Sequence, residues 1–213
     1  MDVPPLPRTF YARDPVPVGR DLLGKLLVRQ TERGPVAGRI VEVEAYLSRR
    51  DPACHASRGL TPRNATMFGP AGHAYVYMIH ARWCLNAVTE DVGLGSAVLI
   101  RAIEPLVGID QMQARRGVDK LLDLARGPAR LCQALDVTKT YDGWDLTLGR
   151  ELWIADPPAG INGAPLRIVR SPRIGISSAR HRLLRFSVAD SPFVSGRRII
   201  AQSSRIRQSE VRM

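Results

Sequence analysis

The ten residues 38–47, GRIVEVEAYL, alternate in a way that an extended strand sorts onto two faces. Val41, Val43, Ala45 and Leu47 fall on one side and read as core, while Ile40, Glu42, Glu44 and Tyr46 fall on the other. Two carboxylates and a phenol therefore point the same way. The ordinary reading of such a face is a solvated edge with surface glutamates. The functional reading is a pair of acids aimed into a site. Residues 25–30 read as another strand, and the turn Thr-Glu-Arg-Gly-Pro between the two runs closes a hairpin.

The rest of the chain is read around that hairpin. A helix is expected over 16–23, opened by Asp14-Pro15 and stopped at Gly24. Strands are expected over 74–80 and 97–103. The pattern turns helical over 108–135, with a fresh start at Gly127-Pro128, and a further hairpin is expected over 145–154 around Gly149. The last strands fall at 166–176 and 183–188. Residues 48–72 have little apolar periodicity, and a loop that long in a compact chain is functional or disordered. The sum is α+β: one domain over 1–195 with a mostly antiparallel sheet and surrounding helices, followed by a basic tail over 196–213 read as flexible.

Charge narrows the class of partner. Lys plus Arg is 31 against 20 for Asp plus Glu, a formal net charge of +11, and arginine supplies most of the excess. Such a chain is drawn to polyanions, and arginine's planar fork suits phosphates and base edges. No apolar run is long enough to span a bilayer, and the N-terminal residues lack the apolar stretch of a secretory signal. The expected compartment is therefore the cytoplasm, with the nucleoid, in a bacterium, or the nucleus in a eukaryote. The three cysteines, Cys54, Cys84 and Cys132, form no C-x-x-C pair, so neither a disulfide framework nor a structural zinc site is expected. No metal and no organic cofactor is expected either.

A second candidate is residues 73–80, HAYVYMIH, where Tyr75, Tyr77 and Ile79 share a face. Aromatics on a strand are usually core, but alternating tyrosines also make a stacking platform for a base. The ordered series V-E-V-E-A-Y at 41–46, T-P-R-N at 61–64, M-F at 67–68, Y-V-Y at 75–77, R-A-I-E-P at 101–105, G-P-A-R-L-C-Q-A-L at 127–135 and S-P-F-V-S at 191–195 resembles the alkyladenine (methylpurine, 3-methyladenine) DNA glycosylases. The resemblance implies a role for each matching residue. Glu44 activates the attacking water. Tyr46, His55 and Tyr77 wall the pocket for the flipped base, and Asn86 limits it against the 2-amino group of guanine. Arg101 lies near the water and the backbone of the flipped nucleotide. Where mammalian members place a wedging tyrosine after Y-V-Y this chain has His80, and its 80–86 segment is one residue shorter.

The physical reading agrees with that assignment. A base inside duplex DNA must be extruded before chemistry, and an electron-poor alkylated purine is held well between aromatic faces. The expected activity is monofunctional hydrolysis of alkylated or deaminated purines from double-stranded DNA by a monomer. Arg49, Arg50, Arg58 and Arg63 are candidates for the DNA backbone. Two rivals stand beside it: a non-catalytic nucleic-acid binding module, which gives Glu44 no task, and a metal-dependent nuclease built on Glu42, Glu44 and His55.

Overall fold

The computed structural model describes residues 3–158 and 165–196. The expected basic tail falls, but for Gly196, outside the described residues. Helices α1 (Arg8–Tyr11) and α2 (Pro15–Leu22) come first. The Asp14 carboxylate accepts from Val16 N at 2.8 Å and Pro15 sits in the first turn, so α2 starts where a side-chain cap and a prefixed φ coincide. Gly24, at φ +87°, then turns the chain, and a Cβ there would lie 2.6 Å from Leu166 Cδ1.

The hairpin comes next, as β1 (Leu26–Thr31) and β2 (Gly34–Tyr46). Strands β3 (Ala74–Ile79), β4 (Arg82–Thr89) and β5 (Ser96–Val107) form a meander. Three helices follow, α3 (Ile109–Arg116), α4 (Leu121–Leu124) and α5 (Pro128–Leu135), then β6 (Leu152–Ala155), β7 (Ile168–Ser171) and β8 (Arg185–Val188). The sheet is antiparallel in the order β3-β4-β5-β2-β1-β6, with β8 joining β2 and β7. This is the expected α+β architecture. The main core includes α2, α5 and the strand residues Ile40, Val43, Leu85 and Ile100. Among the described residues no helix is long and apolar enough to cross a membrane.

Strand β2 is the spine. It pairs with β5 along one edge, while its other edge is shared by β1 up to Arg39 and by β8 at Glu42–Glu44. Three irregularities interrupt its pairing with β5, one between Ala37 and Gly38 and two flanking Glu42. Ile40 faces Ile103, Glu42 faces Ala102 and Val43 faces Ile100, which leaves Val41 as an extra residue on β2 and Arg101 as an extra residue on β5. A period-two reading cannot see such a phase change. Ile40 therefore joins the main core with Val43 and Ala45, while Val41 packs with Ala102 and Phe193, the reverse of the expected faces for these two residues.

Three further expectations change. No strand was expected over 82–89, because β4 is buried on both faces from Cys84 to Thr89 and shows no alternation. The hairpin around Gly149 does not form. The Asp145 carboxylate accepts from Thr147 N at 2.9 Å and Thr147 Oγ1 at 2.6 Å, which bends that limb into a turn, and β6 pairs with β1 instead. Strand β3 stops at Ile79. His80 and Ala81, at φ +46° and +56°, form the two-residue connection to β4.

Candidate active site

The interrupted pairing of β2 with β5 sets the chemistry. Glu42 and Glu44 are both completely buried, which overturns the solvated-edge reading. The extra residue Arg101 turns its guanidinium onto both acids, with Nε 3.0 Å from Glu42 Oε1 and Nη1 3.2 Å from Glu44 Oε1. Burial works against the charge on Arg101, but the two carboxylates outweigh it and raise its pKa above the ordinary value.

Glu44 has two more partners. Ile174 N donates to Oε1 at 2.7 Å, and the Tyr46 hydroxyl donates to Oε2 at 2.8 Å. A carboxylate offers about four acceptor positions. Among the described residues Oε1 has one hydrogen-bond donor and the Arg101 ion pair, and Oε2 has one donor, so an acceptor position on Oε2 stays open. Burial, followed by the neighbouring Glu44 charge, pushes the Tyr46 phenol far above its usual range, so it stays a donor.

Glu42 serves a second network. Its Oε1 also accepts from Arg185 Nε at 2.7 Å, and its Oε2 accepts from Ser195 N at 2.7 Å. Arg101 Nη2 and Arg185 Nη2 reach Ser195 Oγ and Ser195 O at 3.2 and 3.0 Å. The S-P-F-V-S segment thus locks the back of the site.

In front of Glu44 lies a cavity of about 710 Å³, in the range of small-molecule sites. Tyr46, Leu99, Arg101 and Ile174, which contact or neighbour the Glu44 carboxylate, line it, and so do His55, Tyr75 and Tyr77. The last three form one aromatic wall. His55 stands edge-on to Tyr77 with centroids 4.6 Å apart, Tyr75 and Tyr77 lie 5.3 Å apart, and His55 Nδ1 pairs with the Tyr75 hydroxyl at 3.0 Å. Partial burial, then the cations of Arg63 and Arg58, lower the pKa of His55 and favour the neutral ring.

The long loop is ordered by its own polar groups. Asn64, the last residue of T-P-R-N, is buried. It accepts from Thr61 N at 2.7 Å and donates to His55 O and Gly59 O at 3.2 and 2.9 Å. That staple fixes the short 3₁₀ turn His55–Arg58, which carries the histidine into the wall.

The sequence profile described as methylpurine-DNA glycosylase matches residues 9–192. The chain belongs to that family. Its members are DNA repair enzymes that process alkylated bases. Three similar proteins bear the name "Putative 3-methyladenine DNA glycosylase". That of Methanoculleus marisnigri is 52% identical over 90% of this chain and 99% of its own length. That of Methanocella arvoryzae is 48% identical, covering 92% and 98%, and that of Mesorhizobium japonicum 47%, covering 94% and 95%.

Within this family member, Tyr46, His55, Tyr77 and Arg101 line one cavity; Glu44 is not itself in the lining and sits just behind it, held by three residues that are, Tyr46, Arg101 and Ile174. Asn86 does not line it. It is buried on β4, opposite Tyr75, and its side-chain amide donates to Tyr75 O at 2.9 Å. Arg58 and Arg63 line the cavity from the loop, whereas Arg49 and Arg50 are exposed outside it. His80 is exposed at the β3–β4 tip beside Met78 and Ile79, which are 39% and 45% exposed. Sequence reasoning missed Arg185, Ser195, Asp51 and Arg173. The last two form a fully buried ion pair behind Tyr46, and nothing in the run RIVRSPRIGI marks Arg173 out from its neighbours.

Proposed function

We propose that this chain is a monofunctional glycosylase that flips an alkylated or deaminated purine out of duplex DNA and hydrolyses its N-glycosidic bond with a water activated by Glu44. One observation carries the reading. A buried carboxylate with an open acceptor position, held by Arg101, Tyr46 and the Ile174 N–H, lies against an aromatic-lined cavity. The purine enters between Tyr46 and the His55–Tyr77 wall, where a cationic base gains about 0.5–2 kcal/mol from each suitably placed π-face. Such a base leaves with little protonation, so the protein has to supply a positioned water, a proton acceptor and negative charge near the oxocarbenium-like sugar. Glu44 meets the last two needs, and Arg101 holds it in place.

Water is the nucleophile in this reading. Burial pushes the Cys54 thiol up to about 11 and raises the Cys84 thiol as well, so both cavity cysteines stay protonated. Glu42 and Glu44 are already committed to Arg101 and Arg185, which argues against a divalent metal held by the same acids. His80 is the wedge that fills the gap left by the flipped base. It projects from a two-residue tip whose left-handed backbone costs about 1–2 kcal/mol per residue. Met78 and Ile79 offer apolar surface beside it.

Glu44→Gln tests the proposal. The amide keeps the shape, and the Tyr46 hydroxyl can reverse to accept from it, so lesion-duplex binding is expected to survive. Single-turnover base release from a duplex with one methylated purine is expected to fall by roughly 10²–10⁴. Wild-type release in EDTA and a failure of borohydride to trap an adduct complete the expected pattern. Normal release by Glu44→Gln removes the mechanism, and a trapped adduct replaces water with an amine nucleophile.

A further inference from the structure

Asp51 and Arg173 form a fully buried ion pair outside the roles assigned above. Arg173 Nη1 and Nη2 each donate to one Asp51 oxygen at 2.6 Å, a bidentate fork. Nη1 also donates to Ala45 O at 2.9 Å, on the residue between Glu44 and Tyr46. The guanidinium lies over the Tyr46 ring, 4.6 Å from its centroid. The next residue along the chain is Ile174, whose N–H holds Glu44 Oε1 at 2.7 Å. Asp51 in turn accepts from Leu47 N at 3.1 Å and Ala53 N at 3.4 Å, two residues before His55.

We propose that Arg173, clamped by Asp51, is a positioning residue that locks the Tyr46 ring and the Ile174–Glu44 hydrogen bond into one rigid unit. The inference rests on the glycosylase reading. Three cavity elements meet at this pair: the end of β2, the loop leading to His55 and the lip beginning at Ile174. Stability alone is a poor reason to keep it. A buried ion pair is often no more stable than apolar residues of the same volume, and Arg173 Nε is buried with no partner. What the pair supplies is geometry. A planar fork grips Asp51 and Ala45 O while its flat face lies on Tyr46, which an ammonium cannot do. Burial opposes the charge on both residues, but their mutual hydrogen bonds hold Asp51 below and Arg173 above their ordinary pKa values.

The test uses two variants: the neutral pair Asp51→Asn with Arg173→Gln, and Arg173→Lys. Thermal melting reports folding. Single-turnover release and lesion-duplex affinity report function. The ¹³C ring resonance of Tyr46, assigned by its loss in Tyr46→Phe, reports the ring directly. Both variants are expected to unfold cooperatively, to release base about 10–100-fold more slowly, and to lose less than about tenfold in binding. The Tyr46 resonance is expected to shift and broaden. A folded variant that releases base within about twofold of wild type, or that leaves the Tyr46 resonance unchanged, overturns the proposal. If the neutral pair does not fold, Arg173→Lys alone decides. Wild-type protein that releases no base would sink the glycosylase reading instead, and the Tyr46 resonance would still decide the positioning role.

Discussion

Replacing Arg101 by Met removes one cation from a set of four buried charges. In the native site Glu42 and Glu44 are balanced by Arg101 and Arg185, and none of the four side chains is more than 8% exposed. The variant leaves two carboxylates and one guanidinium. Glu42 keeps Arg185 Nε and Ser195 N, while Glu44 keeps only the Ile174 N–H and the Tyr46 hydroxyl. Breaking one partner out of a buried ion pair costs about 3–5 kcal/mol. For a domain near this size each kcal/mol is worth about 2–4 °C, so the melting temperature is expected to fall by roughly 6–20 °C. Adding Glu42→Gln restores electroneutrality, and the coupling is expected to return about 1–3 kcal/mol of the loss. Urea unfolding of wild type, both single variants and the double variant measures this directly, provided the m-value stays constant. A loss of less than about 1 kcal/mol for Arg101→Met, or a further loss on adding Glu42→Gln, would refute a charge-balanced buried network.

Other perturbations probe the walls. A Cβ on Gly95 would lie 2.5 Å from Ala56 Cβ and 2.8 Å from Phe68 Cζ. Gly95→Ala is therefore expected to cost about 1–3 kcal/mol and to displace the His55 turn; unchanged lesion affinity and melting would show that the loop has slack. His55 is expected to titrate below its unfolded value of about 6.5, so the unfolded chain takes up the proton first and stability falls as pH drops below that value. An imidazole NMR midpoint at or above about 6.5 contradicts the neutral-wall assignment. His80→Ala is expected to slow flipping in duplex DNA while sparing lesions that are already unpaired; equal rates from a neighbouring 2-aminopurine reporter would leave the wedge without support.

The strand carrying Glu44 was legible because its alternation was intact across Val43, Glu44, Ala45 and Tyr46, which lie beyond the bulge. The α2 boundaries were legible because Asp14, Pro15 and Gly24 are local signals whose effect does not depend on tertiary contacts. Strand β4 was hidden because burial on both faces erases period two. The limb before Gly149 misled because its alternation is overridden by the Asp145 carboxylate, whose bonds to Thr147 make a turn. Arg173 was illegible for another reason: its partner Asp51 lies 122 positions away, and one arginine among many carries no mark in sequence.

The residue that converts a strand into a site is the one the strand pairing leaves over. An unbroken ladder would alternate Arg101 with Ile100 and Ala102 in step with β2, and would give Arg101 its own Cα partner. Instead Val41 and Arg101 are both surplus, on opposite strands within one step of each other. The two surplus residues compensate, so the register on either side of the interruption is the same: Ile40 with Ile103 sums to the same total as Val43 with Ile100. The sheet therefore pays for the distortion only locally, while the side-chain phase of β2 changes across it. That phase change puts Ile40, Val43 and Ala45 in one core. It leaves Glu42 and Glu44 together on the other side, within reach of a single guanidinium. Deleting one surplus residue alone would leave the other uncompensated and shift the register of everything beyond it by one residue. The acid pair and the bulge pair are thus one device: the surplus Arg101 that interrupts the ladder is the residue that holds both carboxylates and also lines the aromatic cavity.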